Sequence, residues 1–374
     1  MNDIRPLTLT NRHNNPGTGG APSIYQACLN ALAHLGDHSL ARHEINRTFT
    51  RSIQVDEKQN RTFIDYLKID NQKILTAHIV GEVGSELEGT WLGAYPKNLP
   101  AHKLASGKFI ANPLNDDSNA HRMVIAARCP TVAPADLQAA WKGFIAALED
   151  VYFEDLDAAD AANESYRLTP WAGRSDGDKK KAFNNLYLKL EPTYEKASNK
   201  NVREPEGPRE RNRNRPSTST SSATIQSNIP MQATTPTRQV GDTYDPDMFS
   251  EHRGNYFDHS LDIKIIQRDH RDVDNSLIPP WELEKILTEG TFFSAQVTLQ
   301  TYIFSGNGVP NKIYHIYVDK LRVLDKGYST AWQIPVPSLP AAGPSTPGKK
   351  RKERDEAADD AFQAFDAVSP KKKF

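Results

Sequence analysis

The stretch GTFFSAQVTLQTYIF, Gly290 to Phe304, constrains the fold more than any other part of the chain. Phe293, Ala295, Val297, Leu299, Thr301 and Ile303 form one nearly apolar set, and Ser294, Gln296, Thr298, Gln300 and Tyr302 alternate with them. Successive strand side chains point to opposite faces, so a period of two held this long predicts a strand with one buried face. After a short Gly/Pro loop, KIYHIYVDKLRVLDKG (Lys312 to Gly327) predicts its hairpin partner. Tyr314, Ile316 and Val318 share one phase, whereas Leu321 and Val323 take the other. A phase break at Asp319–Lys320 is what a β-bulge produces, and bulges bend strands as barrel closure requires.

The remaining pattern is α+β. SIYQACLNALAHLG predicts a helix, with Ile24, Cys28, Ala31, Leu32 and Leu35 at helical spacing, Ser23 as cap and Gly36 as stop. TFIDYLKI, KILTAHIVGEV and RMVIAARC predict strands between Thr62 and Cys129. PADLQAAWKGFIAALEDVYF is the clearest helix, with Pro134 in its first turn and Leu137, Trp141, Phe144, Ile145, Leu148 and Tyr152 on one face. A second helix is expected from Ser175, with Asp178 in capping position and Phe183, Leu186, Tyr187 and Leu190 following. LDIKIIQ then reads as a strand and PPWELEKILTEG as a helix stopped by Gly290.

Between these two ordered stretches the composition changes. NVREPEGPRERNRNRPSTSTSSATIQSNIPMQATTPTRQV holds almost no large apolar residue, so it cannot bury enough surface to offset its ordering entropy. The expected organisation is a disordered arm at 1–20, an α+β region at 21–195, a disordered basic linker at 196–240, a β-rich region at 241–335 and a disordered charged tail at 336–374.

Several function classes lose support. Two cysteines in 374 residues give no disulfide framework and no zinc spacing, which suits a reducing compartment. The first twenty residues lack the apolar stretch of a signal peptide, and no run is long and apolar enough to predict a membrane span. His34 and His38 have the i,i+4 spacing of metal ligands, but Gly36 interrupts the helix that would align them. PGTGG lacks the Lys-Ser/Thr of a phosphate loop, and the carboxylates of EDVYFEDLDAADAANE lack calcium-loop spacing and read as a solvated helix end. No cofactor fingerprint or catalytic motif is present, so a non-enzymatic protein is expected.

The outer face of the hairpin suggests binding. It collects Tyr302, His315, Tyr317, Lys320 and Arg322, and aromatics beside cations hold single-stranded nucleic acid by stacking on bases and neutralising phosphates. Residues 241–335 carry fourteen acidic and nine basic side chains, so the basic ones must cluster for this to work. The linker is the reverse, eight basic against three acidic over 196–240, and Arg211, Arg213 and Arg215 could add sequence-independent phosphate contacts to single-stranded DNA or RNA.

A helix, a Gly-led long strand, a loop and a second strand ending in LRVLD together resemble part of an OB-fold single-stranded-DNA-binding domain. The resemblance covers about forty residues and implies an OB-like barrel whose other strands come from the N-terminal half; the expected fold is thus α+β, an antiparallel β-sheet or a partly open OB-like barrel with flanking helices. RDVDNSLIPPWELEKILTEGT and KIYHIYVDKLRVLD are also similar to a group of uncharacterised fungal proteins, which implies a fungal origin and no activity. The tail DEAADDAFQAFDAVSPKKKF partly resembles the acidic, Phe-terminated tails of bacterial single-stranded-DNA-binding proteins, but Lys371, Lys372 and Lys373 depart from that pattern.

Lys349, Lys350, Arg351 and Lys352 form a basic run in an exposed Pro/Gly-rich setting, as a nuclear import receptor reads, which predicts a nuclear location. Thr235, Thr346 and Ser369 each precede proline with a basic residue just beyond, as proline-directed kinases favour, and phosphate there would offset the basic cluster. Phe362, Phe365 and Val368 share one helical face and could dock on a partner. The expectation is thus a nuclear single-stranded nucleic-acid binder. Its rivals are a scaffold that recruits a protein partner through the charged tail, and an enzyme with its site between the halves.

Overall fold

A computed structural model describes residues 12, 23–35, 38–42, 49–56, 61–93, 115–116, 122–161, 167–169, 172–173, 184–196, 238–249, 252, 257–259, 262–304, 309–327 and 362. In chain order its strands are β1 (Phe49–Asp56), β2 (Arg61–Lys68), β3 (Thr76–Val83), β4 (Asn115–Asp116), β5 (Val124–Arg128), β6 (Arg167–Thr169), β7 (Ala172–Gly173) and β8 (Asn185–Leu190). They continue with β9 (Tyr194–Lys196), β10 (Thr243–Tyr244), β11 (Phe257–Asp258), β12 (Ile263–Ile266), β13 (Asp269–Arg271), β14 (Phe292–Phe304) and β15 (Asn311–Asp325). Together with the helices Ile24–Leu35 and Ala135–Ala161 they make an α+β fold.

The largest sheet has ten strands, in the order β1-β2-β14-β3-β5-β8-β15-β13, with β6 beside β15 and β7 beside β8. Because β14 also pairs with β15, the path β14-β3-β5-β8-β15 returns on itself as a ring of five strands. Three of these come from the N-terminal half and two from the C-terminal half, so the two ordered stretches share one sheet. The sheet is mixed where antiparallel pairing was expected: β6, β8 and β13 all run parallel to β15.

Strand β14 serves two neighbours, pairing with β3 from Phe292 to Thr298 and with β2 from Gln300 to Phe304. On its other edge Gln296 faces Lys320 while Val297 faces Val318, leaving Asp319 as the extra residue. That bulge sits at the phase break read from the sequence, and it is why inward-facing Val318 and Leu321 differ in parity. A second shift, between Phe292 and Phe293, leaves Leu324 extra.

The inner face carries the core. Ala295, Ile79 and Leu321 form one cross-strand row and Val297, Ala77 and Val318 the next, all essentially inaccessible. Each large aliphatic side chain buried this way contributes roughly 1.5–3 kcal/mol. The helix Ala135–Ala161 lays Leu137, Trp141, Phe144, Ile145, Leu148 and Val151 against this core. Trp141 approaches so closely that a Cβ at Gly81 would lie 3.0 Å from its ring and 3.3 Å from the Arg128 carbonyl oxygen.

The same helix corrects one expectation. Asp155, read from the sequence as part of a solvated helix end, is buried. It accepts a hydrogen bond from the Tyr314 hydroxyl at 2.7 Å and pairs with Lys312 at 2.8 Å and Arg51 at 3.3 Å. A buried carboxylate held by two cations and a hydroxyl is a stable arrangement. A second correction is larger: Asn185–Leu190, expected within a helix, is strand β8. Leu186, Leu188 and Leu190 point inward and Tyr187 and Lys189 lie half-exposed, a period of two. The expected PPWELEKILTEG helix is one turn, Leu283–Ile286, after a 3-10 turn at Pro280–Glu282, and Gly290 follows at φ +83°. Among the described residues no helix is long and apolar enough to cross a membrane.

Candidate functional site

Directly opposed residues in paired strands project to the same side, so the register fixes the composition of the outer face. Across β3 or β2, then β14, then β15, its rows read Val80–Ser294–Arg322, His78–Gln296–Lys320, Thr76–Thr298–Tyr317, Asp65–Gln300–His315, Phe63–Tyr302–Ile313 and Arg61–Phe304–Asn311. The face is continuous, and the ten steps from Ser294 to Phe304 at about 3.4 Å each make it roughly 34 Å long.

From Tyr317 to Arg61 this face is rich in aromatics, half-buried along β14 and β15 and exposed at Arg61, while Thr76 and Asp65 of the neighbouring strands are buried. The ring centroids of Tyr302 lie 4.9 Å from His315, 5.1 Å from Phe63 and 6.1 Å from Phe304, the last pair nearly parallel at 10°. His315 and Tyr317 meet edge to face at 5.6 Å. Guanidinium groups close both ends, with Arg122 4.7 Å from the Tyr317 ring centroid and Arg61 5.2 Å from that of Phe304. Lys189, opposite Tyr317 in the parallel β8–β15 pairing, places its Nζ 2.7 Å from His315 Nε2.

These groups form one directed hydrogen-bond chain. An ammonium group can only donate, so His315 Nε2 accepts from Lys189 and its Nδ1 carries the proton. That Nδ1–H donates to Tyr317 at 2.9 Å, and the Tyr317 hydroxyl donates to the Tyr302 oxygen at 2.9 Å. Tyr302 donates to Gln300 Oε1, and Gln300 Nε2 donates to Asp65 at 2.6 Å. Gln54 supplies the second donor to Asp65, at 2.9 Å. The chain therefore runs from a cation to a carboxylate through three rings and fixes their orientations. Such chains polarise each member and act cooperatively.

The electrostatics are lopsided toward positive charge. Among the described residues no carboxylate lies within ion-pair distance of Arg61, Arg122 or Lys189. Burial, then the neighbouring Arg122, pushes the Lys189 ammonium down to about 8. Burial, then Lys189 and Arg122, pushes His315 down to about 3, so it is neutral near pH 7, in agreement with the tautomer above. Burial and the neighbouring Tyr302 raise Tyr317 above the ordinary phenol range. The cluster presents oriented rings and uncompensated cations, an arrangement suited to stacking and anion contact.

Of the residues expected to form the site, Tyr302, His315 and Tyr317 come together. Lys320 and Arg322 lie beyond the bulge, where they oppose Asp269 and Arg271 of β13. Arg322 is only 7% exposed, and burial, then Arg271, pushes it down to about 10. Over this half of the face lies Phe362, 4% exposed, its ring stacked on His78 at 5.2 Å and 5.9 Å from the Arg322 guanidinium carbon. Beyond it Arg12 pairs with Glu82 at 3.1 Å and Asp325 at 2.6 Å and donates to the Gly290 carbonyl at 2.6 Å. The expected linker residues Arg211, Arg213 and Arg215, import residues Lys349, Lys350, Arg351 and Lys352, and phosphorylation positions Thr235, Thr346 and Ser369 lie outside the described residues.

Sequence reasoning missed Arg61, Phe63, Arg122, Lys189 and Phe304. Phe304 was within reach, since it continues the Gln300–Tyr302 phase. The others reach the cluster through pairings distant in sequence: Arg61 and Phe63 through β2–β14, Lys189 through β8–β15, and Arg122 from just before β5. Among the described residues no group of three or more His, Cys, Asp or Glu side chains could hold a metal ion. Comparison of the chain with protein-family models gives no match, and no curated protein matches it.

Proposed function

We propose that the five-strand ring is an OB-like barrel and that its open outer half-face binds single-stranded nucleic acid, DNA or RNA, in a non-enzymatic nuclear protein. The observation that carries this reading is the run of hydrogen-bonded rings Tyr302, His315 and Tyr317 flanked by Arg61, Arg122 and Lys189, none with a described carboxylate partner. Rings of fixed orientation stack on bases of any identity, and each base–aromatic stack contributes about 1–3 kcal/mol. The cations neutralise phosphates that the acidic remainder of the C-terminal half would repel.

The placement of these residues supports the barrel reading. OB folds bind oligonucleotides on the face of their second and third strands and through the loops after the first and fourth. Counted within the ring, Arg122 lies just before the second strand, Lys189 is on the third, and Phe304 ends the fourth. The basic run Lys349 to Lys352 supports nuclear import, and the linker arginines support added phosphate contact.

Titration of labelled single-stranded and duplex oligonucleotides into the full chain at two salt concentrations tests the proposal. Single strands are expected to bind more tightly, with a log–log salt slope of about −2 for three neutralised phosphates. Arg122→Glu with Lys189→Glu is expected to weaken binding at least about tenfold with the fold retained. Absence of binding at low salt, or indifference to the double change, overturns it. A fluorescent fusion with Lys349 to Lys352 replaced by alanine tests the location.

A protein-interaction reading has one observation in its favour. Strand β1 ends the sheet path, and it exposes Ile53 (64%) and Val55 (67%). Exposed apolar edge strands accept another strand. Ile53→Lys with Val55→Lys is expected to abolish any such association while leaving oligonucleotide binding intact.

A further inference from the structure

The aromatic half-face does not stop at β15. The parallel pairing sets Tyr317 opposite Lys189 of β8, Lys189 lies opposite Val124 of β5, and Val124 bridges to Trp91. Opposed residues project to one side, so the row of Tyr317 continues around the ring as Tyr317–Lys189–Val124–Trp91. All four are partly accessible. At about 4.8 Å per strand, Tyr317 stands roughly 5 Å from Lys189 on one side and Trp91 roughly 10 Å away on the other. An amine thus lies between two aromatic side chains on the outer face.

Lys189 has the setting that makes a lysine a nucleophile. From the strands beside β8, the titratable or charged groups that face it are His315 and Tyr317 of β15 and Arg122, two residues before Val124. On β8 itself Tyr187 is next on the same face. Desolvation beside a second cation favours the neutral amine. Burial and Arg122 push Lys189 down to about 8, which leaves about one in ten uncharged at pH 7, against about one in three thousand at the ordinary 10.5. His315 Nε2 accepts one N–H at 2.7 Å, so the lone pair of the neutral amine is directed away from the imidazole.

From this cluster we infer that Lys189 forms a Schiff base with the C1′ aldehyde that a sugar exposes after losing its base, so that the half-face captures base-free single strands covalently. The choice of aldehyde rests on the nucleic-acid reading above; the reactivity of the amine does not. A strand that follows this row stacks its bases on Tyr317 and Trp91 and lays the intervening base-free sugar over Lys189. The ammonium first loses a proton to water. The neutral nitrogen adds to C1′ as the carbonyl π pair moves to oxygen, and the addition product passes a proton from nitrogen to that oxygen. The resulting hydroxyl takes up a second proton and leaves as water. One ammonium and one aldehyde thus give one iminium and one water, with no redox change. The positive charge is retained, so a phosphate contact at this position survives the capture. Hydrolysis reverses the adduct, and capture is stoichiometric, without turnover.

The test incubates the full chain with labelled single-stranded DNA 12-mers, one intact and one carrying a single base-free site, and adds sodium borohydride, which reduces the imine to a stable secondary amine. The base-free strand is expected to give one denaturation-resistant protein–DNA product and the intact strand none. Mass spectrometry of the unaltered chain is expected to place the product on Lys189. Lys189→Arg, which keeps a cation and lacks the amine, is expected to give at least about tenfold less product per strand bound, and Lys320→Arg is expected to match the wild type. Product at short times is expected to rise with pH and level off between about 8 and 9, where an ordinary lysine still climbs toward 10.5. Product scattered over other lysines, or undiminished per bound strand in Lys189→Arg, overturns the proposal. Propanal with the same reductant separates its two layers. Modification of Lys189 by propanal with no binding of either 12-mer sinks the nucleic-acid reading while the reactive amine stands. Binding of the 12-mers without trapped product overturns the amine and leaves that reading intact.

Discussion

The two halves of one strand face make the most useful comparison in this molecule. Ser294 and Gln296 share a side of β14 with Gln300 and Tyr302, yet the first pair is inaccessible and the second half-exposed. The proximal half is closed by chemistry that tolerates burial: Phe362 against His78 and Arg322, and Arg12 against Glu82. The distal half keeps Arg61, Arg122 and Lys189 without carboxylate partners among the described residues. Buried charge demands a partner, whereas half-exposed charge can wait for one in solution. One face therefore divides into a part closed by the distant residues Arg12 and Phe362 and a part that is electrostatically unfinished.

The largest effect should come from breaking the closed half. Glu82 is 0% exposed and takes Arg12, Arg128 and the backbone and hydroxyl of Thr131. Glu82→Ala leaves two guanidinium groups short of a partner and is expected to cost about 3–5 kcal/mol in urea unfolding. No residue of the open half should approach that. A loss below about 1 kcal/mol would mean that the closed half is not the firmer one.

The next prediction sets like against like across the boundary. Lys189→Glu is expected to weaken single-strand binding about tenfold, and Lys320→Glu less than twofold, although both are half-exposed lysines on strands of the ring. Equal losses would erase the distinction between the halves. Unfolding midpoints should differ little, because removal of Lys189 also relieves its repulsion with Arg122.

How much of this was legible follows from where the information sits. The alternation in β14 placed Tyr302, and its partner strand placed His315 and Tyr317, because a hairpin fixes facing residues through local sequence. The bulge at Asp319 was legible for the same reason. Lys189 was hidden by a wrong period: Phe183, Leu186, Tyr187 and Leu190 fit a helix, while Leu186, Leu188 and Leu190 fit a strand, and pairing with β5 and β15 decided between them. Arg122 precedes a strand whose neighbours come from residues 91 and 189, a juxtaposition that local pattern does not encode. Lys320 and Arg322 carried the right chemistry on the right face. What sets them apart from the aromatic cluster is the pairing of β13 along this part of β15 and, at Arg322, the ring of Phe362, and contacts that remote leave no trace in strand periodicity.

A smaller effect comes from cutting the hydrogen-bond chain that orients the rings. Tyr317→Phe removes the acceptor of His315 and the donor to Tyr302 while keeping ring area. It is expected to cost about 0.5–1.5 kcal/mol of stability and to weaken oligonucleotide binding two- to fivefold, through loosened rings and not lost stacking. Nitrogen chemical shifts of His315 should then show mixed tautomers in place of the single Nδ1–H form.

The last effects are those of pH, and both titrating groups make stability rise with pH, each in its own window. Lys189 is pushed down to about 8 from its ordinary 10.5, so the unfolded chain binds more protons between those values, and this residue makes stability rise with pH from about 8 to about 10.5. His315 is pushed down from 6.5 to about 3, so its contribution is complete above pH 6.5 and is lost as pH falls toward about 3. Binding samples the first group from the other side. A phosphate beside Lys189 favours its charged form, so association near pH 8.5 is expected to take up a fraction of a proton and to weaken as pH rises further. Calorimetry in two buffers of different ionisation enthalpy measures that uptake, and Lys189→Met should abolish it. Uptake that persists in Lys189→Met would place the binding cations elsewhere and return the open half of the face to ordinary solvated surface.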